Sequence, residues 1–156
     1  MATQLVKRAT PAERVVHWIH MLAFIVLVLT GLGLYAKSFF GLTGIFGGVD
    51  MSRTVHHYTG LVFIVTTFIG FFQWFKAVTE KGEDSLFDVA RSYLDHSFHA
   101  KSGKINAGQK LWAWFAFLVG LVMGATGLAM WFPFVLGHGL QQWMYFLHNL
   151  CFIGFM

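Results

Sequence analysis

Asp, Glu, Lys and Arg occur in clusters separated by long apolar tracts. Residues 15–36 and 54–75 contain none of the four, and none occurs after Lys110. A run of about 18 or more such residues can cross a bilayer as a helix. The pattern predicts spans over 15–35, 54–75, 111–132 (ended by Pro133) and 140–156, the last resuming after Gly137-His138-Gly139. Residues 38–49, with Gly41, Gly44, Gly47 and Gly48, read as a plain turn-rich connector. In 84–99, Leu86, Val89, Ala90, Tyr93, Leu94 and Phe98 recur at helical spacing with charges between them. This predicts an amphipathic helix on the inner surface or beneath a partner subunit. The fold class is all-α: one domain over 1–156, an integral membrane four-helix bundle with a cytoplasmic amphipathic helix. The fourth segment is 17 residues, about 26 Å long. It ends without flanking charge, where a free carboxylate and unpaired carbonyls would lie in hydrocarbon. The polypeptide is therefore expected to continue, leaving this span incomplete.

Composition sharpens the class. The 156 residues are 56% hydrophobic and 12% charged, against roughly 25% charged in a soluble domain. That excludes a soluble enzyme, a disordered tail and a nucleic-acid binder, despite the net charge of +4. One cysteine, Cys151, excludes an internal disulfide framework and reads as a small core residue. Lys7, Arg8 and Arg14 precede the first span, and Lys76, Lys81, Arg91, Lys101, Lys104 and Lys110 lie between the second and third. Only Lys37 and Arg53 fall on the opposite side. This asymmetry predicts a multi-pass protein with its N-terminus and the 76–110 segment in the cytoplasm. The tryptophans agree: Trp18, Trp74, Trp112 and Trp114 fall at inner span ends, and Trp131 and Trp143 at outer ones.

Ionisable residues inside spans are expensive and point to function. His17, His20, His56 and His57 lie in or at the edge of the first two spans, and His148 lies about 12 Å into the fourth. Gly31 is 14 residues after His17 and Gly70 is 14 after His56. Fourteen steps of 100° return each glycine to within about 40° of its histidine. Each helix then carries an imidazole at one depth and a gap about 21 Å away. Gly120, Gly124 and Gly127 add gaps on one face of span three. Two flat bulky groups stacked across the bilayer would fit, and haem, needing an imidazole on each face, is the cofactor of choice. R-x-x-H occurs twice, Arg14 to His17 and Arg53 to His56; each arginine is placed to pair with a haem propionate. The plainer alternatives are helix-packing histidines, packing glycines and snorkelling arginines. His57 reads as a packing residue, His20 as a residue that could line a pocket, and His96, His99 and His138 as surface residues.

These residues, with Gly103-Lys104-Ile105-Asn106-Ala107-Gly108-Gln109-Lys110, Thr126-Gly127-Leu128-Ala129-Met130-Trp131 and Leu147-His148, resemble the gamma, cytochrome b subunit of membrane-bound formate dehydrogenases. More distantly they are similar to cytochrome b subunits of quinone-reducing hydrogenases. The resemblance implies two b-type haems, an iron–sulfur beta subunit, a molybdenum- or tungsten-containing alpha subunit, and a higher oligomer of the complex as a further possibility. It implies that His56 and His148 ligate the outer haem and that His17 ligates the inner one. The other inner ligand would lie about 14 residues past His148, beyond Met156. It also implies a menaquinone or ubiquinone site lined by Asn106, Gly108 and Gln109. Read from residues alone, that stretch is equally a polar loop capping span three, and Lys110 either stabilises reduced quinone or marks the positive-inside side. Taken together, the subunit would carry electrons from an outer donor to quinone near the cytoplasm, itself breaking no substrate bonds. The alternatives are a hydrogenase cytochrome b and a haem-free membrane anchor.

Overall fold

The computed structural model describes residues 9–82, 84–95, 104–132 and 137–156. Lys7, Arg8, His96, Phe98, His99, Lys101, Gly103 and Pro133, which entered the sequence argument, lie outside the described residues. Helix α1 runs from Pro11 to Tyr35, α2 from Val49 to Thr79, α3 from Leu86 to Leu94, α4 from Ala107 to Trp131 and α5 from His138 to Phe155. No strand occurs among the described residues, and the fold is an all-α membrane helical bundle. α1, α2 and α4 are long and apolar enough to cross a bilayer. α5 is a fourth helix of 18 residues, but Gln141, Gln142, His148 and Asn149 make it more polar than the other three.

The helix starts follow from local chemistry. Thr10 and Glu13 form a capping box at α1, with Pro11 at its first position, satisfying amide groups that no helical carbonyl reaches. Asn106 and Gln109 do the same at α4, and Ser85 and Asp88 at α3. The two hydrogen bonds from Ser85 to Asp88 hold that carboxyl below its ordinary value.

The connector between α1 and α2 corrects the sequence reading. Residues Lys37–Phe46 form a 3-10 helix that folds back on the end of α1. Thr43 sits against Gly33, where an added Cβ would lie 3.1 Å from Thr43 Cγ2. Ser52, fully buried, donates to the Thr43 carbonyl at 3.3 Å. The turn is concentrated at Gly47 and Gly48, with φ of 87° and 104°, conformations that favour glycine. α2 therefore begins at Val49, earlier than the span predicted from residue 54. α3 is shorter than the predicted 84–99 helix. It turns Val89 inward, while Leu86, Phe87, Tyr93 and Leu94 are exposed.

Packing is inverted relative to a soluble bundle. The buried positions include Thr30, Thr43, Ser52, Thr66, Thr67 and Thr126, while Trp18, Phe72, Leu118 and Trp143 are exposed. Lipid is as apolar as leucine, so helices associate through small residues and satisfied hydroxyls. The buried threonines donate to carbonyls one turn back, as Thr67 does to Phe63 at 2.7 Å. Neighbours pack in the order α1, α2, α4, α5, while the backbones of α1 and α5 stay apart. Between those two helices the bundle opens.

Candidate functional site

That opening is a cavity of about 570 Å³, lined by residues of α1, α2, α4 and α5, a size suited to a large organic group. Its walls are mainly apolar, with Phe24, Leu27, Met123 and Phe152 among them. His56 enters from α2 and His148 from α5. Their ring centres are 6.3 Å apart with planes at 69°. A metal–imidazole nitrogen bond of about 2 Å on each side, plus roughly 1 Å from nitrogen to ring centre, gives a spacing of about 6 Å. The observed separation fits two imidazoles facing one metal ion.

Each ring is held by a threonine and a glycine from the neighbouring helix. Thr30 Oγ1 lies 2.8 Å from His56 Nδ1, and Thr126 Oγ1 lies 3.0 Å from His148 Nδ1. A Cβ on Gly31 would sit 3.4 Å from His56 Cε1, and one on Gly127 would sit 3.4 Å from His148 Cε1. Sequence reasoning missed both threonines. The available signal was the repeat Thr-Gly-Leu-x-x-aromatic, at Thr30–Tyr35 in α1 and Thr126–Trp131 in α4.

The glycines divide differently from their expected roles. Gly31 makes room for an imidazole, but Gly70 faces Val16. Gly120 faces Thr67 and Gly124 faces Ile64, so these two bring α4 close to α2, and Gly127 alone of the three turns to α5. Gly124 and Gly127 nevertheless both line the cavity, whereas Gly120 is not among its lining residues. The rotation of α4 decides this, and spacing alone does not reveal it.

The remaining sequence candidates separate. Arg53 lines the cavity beside His56 and makes a 3.4 Å exposed contact with Asp50, a pairing of small energetic weight. Arg14 is exposed near the start of α1 and is not among the cavity-lining residues. His17 is exposed and, at 1.5 Å per residue, lies about 21 Å along α1 from the Gly31 level. His57 stacks on Trp131 at 4.6 Å. His20 bonds Thr66 at 3.0 Å and stacks on Phe63. His138 is exposed, and Cys151 is half-buried.

The start of α4 lies beside the start of α1. Lys104 reaches Glu13 at 3.3 Å and sits 4.1 Å over the Trp74 ring. Asn106 Oδ1 accepts from the Gln109 amide at 2.8 Å, and Gln109 Oε1 accepts from the Asn106 amide at 2.9 Å. Capping thus uses the oxygen of each side chain and leaves each NH2 group as a donor. Gly108 faces Val89 of α3. Lys110 Nζ donates to the Glu80 carbonyl at 2.8 Å, capping α2.

The family model of prokaryotic cytochrome b561 matches residues 8–156. The formate dehydrogenase cytochrome b556 subunit of Haemophilus influenzae is 30% identical over 83% of this chain and 55% of its own length. The cytochrome b556(fdo) subunit of Escherichia coli is 28% identical over 81% of the chain and 61% of its own. The nitrate-inducible cytochrome b556(Fdn) subunit of the same organism is 25% identical over 85% and 62%. The chain spans little more than half the length of these curated relatives. With nearly its whole length matched, and a membrane bundle that turns two imidazoles into one apolar cavity, this chain belongs to the prokaryotic cytochrome b561 family, membrane proteins that bind haem b.

Proposed function

We propose that the chain is the electron-transfer membrane subunit of a formate dehydrogenase complex. On this reading it lies in a bacterial inner membrane with its N-terminus in the cytoplasm, and residues 1–156 belong to a single di-haem cytochrome b domain. It takes electrons from an iron–sulfur subunit, served by a molybdenum- or tungsten-containing catalytic subunit, and delivers them through two b-type haems to menaquinone or ubiquinone. The observation that carries the reading is the pair His56 and His148, 6.3 Å apart in one cavity, in a chain whose relatives are named as formate dehydrogenase cytochromes.

Haem b, when bound, supplies a one-electron carrier, and two imidazole ligands leave its iron no open position. His56 and His148 are the ligands on α2 and α5. Arg53 offers a guanidinium to a propionate, and the apolar wall excludes water. At the other end His17 is the ligand for the second haem, with Arg14 one turn away toward the surface. Asn106 and Gln109 donate through their NH2 groups to a quinone carbonyl. Gly108, packed on Val89, lets α3 close over that corner.

Formate added to anoxic membranes holding the intact complex is expected to reduce its b-type haem. A menaquinone analogue should then reoxidise it. Gln109→Glu keeps the capping oxygen and removes the NH2 donor. It is expected to slow reoxidation about tenfold, the effect of one lost hydrogen bond of about 1.4 kcal/mol, with haem content unchanged. Haem that formate cannot reduce would overturn the donor assignment, and unaltered reoxidation in the variant would overturn the quinone assignment.

A further inference from the structure

We infer that Thr30 and Thr126 are positioning residues that fix the tautomer of His56 and His148 and leave each Nε2 as a free lone pair for a metal. The inference rests on the proposed role of these two histidines as haem ligands. A threonine hydroxyl has one proton. Thr30 Oγ1 lies 2.7 Å from the Val26 carbonyl oxygen, and Thr126 Oγ1 lies 2.7 Å from that of Val122. Two oxygens approach so closely only with a proton between them, so each hydroxyl donates to its own helix. What faces the imidazole Nδ1 at 2.8 and 3.0 Å is therefore a lone pair, and Nδ1 must carry the N–H. A neutral imidazole has one N–H, which leaves Nε2 unprotonated. The glycine that follows each threonine clears the space beside Cε1, so the two residues set tautomer and ring position together.

The arrangement appears twice, on helices that are not sequence neighbours: α1 holds the histidine of α2, and α4 holds that of α5. Thr66 makes the same donation, 2.8 Å to the Val62 carbonyl, and the same approach to His20. It is followed by Thr67 and not glycine, and His20 does not line the cavity. Thr66 is therefore the internal control.

An N–H acceptor raises the basicity of a metal-bound imidazole and favours the oxidised metal. The test uses the intact complex carrying Thr30→Val or Thr126→Val, the matching serine variants, and Thr66→Val. The two valine variants are expected to raise the midpoint potential of the haem in this cavity. A tenfold change in relative affinity for the two oxidation states corresponds to 59 mV for one electron. They should also release haem to an apoprotein acceptor 10–100-fold faster. Serine, which keeps the hydroxyl, should restore both readouts, and Thr66→Val should move neither. Haem that stays bound at the original potential in both valine variants would overturn the inference while leaving the ligand assignment intact. So would a shift that serine fails to reverse, or loss of haem in valine and serine variants alike, because packing alone would then explain the threonines. Failure of the ligand assignment itself shows separately, as haem retained at this level after His148→Ala.

Discussion

Replacing His148 with alanine is expected to remove one haem per chain from the intact complex, counted by pyridine haemochrome. The imidazole comes from α5, sits about 12 Å from the start predicted for that segment, and faces the His56 ring at 6.3 Å in one cavity. Losing the hydrogen-bond partner of a ligand lowers metal affinity 10–100-fold, and losing the ligand itself exceeds that. Alanine also opens a hole beside Gly127, which has no side chain to fill it. Electron entry at this level should stop as well. His57→Ala is the contrast. His57 packs face to face on Trp131, so its loss should loosen the α2–α4 contact and leave the haem count unchanged. An unaltered count in His148→Ala would refute the ligand assignment.

Gly127→Leu should empty the same cavity by a steric route. A Cβ at that position lies 3.4 Å from His148 Cε1, which alanine tolerates, but the rest of a leucine falls where the imidazole stands. The ring must swing off Thr126 or α5 must move away, and such overpacking costs about 1–3 kcal/mol. The helix itself does not suffer, because leucine is a better helix former than glycine by about 1 kcal/mol. The variant should therefore insert and assemble, yet lack the haem held by His148. Gly154→Leu serves as its control, since a Cβ there meets nothing within 4 Å. Wild-type haem content in Gly127→Leu would show that the glycine does not guard the ligand position.

The spans were legible in the sequence because hydrocarbon tolerates no charge, and charge-free tracts are visible without knowing the fold. The two histidines of the cavity were legible for the same reason, as polar groups too costly to be idle. Their threonine partners were not, because a buried Thr in a membrane helix satisfies itself on its own backbone and leaves no mark of what else it touches. The roles of Gly120 and Gly124 depend on the rotation of α4 about its axis, which a one-dimensional spacing argument leaves free. The 3-10 helix over Lys37–Phe46 was hidden by its glycines: Gly41 and Gly44 suggest turns throughout, whereas positive φ is confined to Gly47 and Gly48. Asn106 and Gln109 carry two messages at once, a capping box and a pair of free amide donors, and only the geometry separates the oxygen's work from the nitrogen's.

Low-temperature electron paramagnetic resonance of the oxidised intact complex tests most directly whether His56 and His148 grip one haem between them. Two low-spin ferric signals are expected, of which one is lost in both His56→Ala and His148→Ala while the signal of the haem assigned to His17 stays. A high-spin signal in the unaltered protein, or the same set of low-spin signals in both variants as in the unaltered protein, would contradict it.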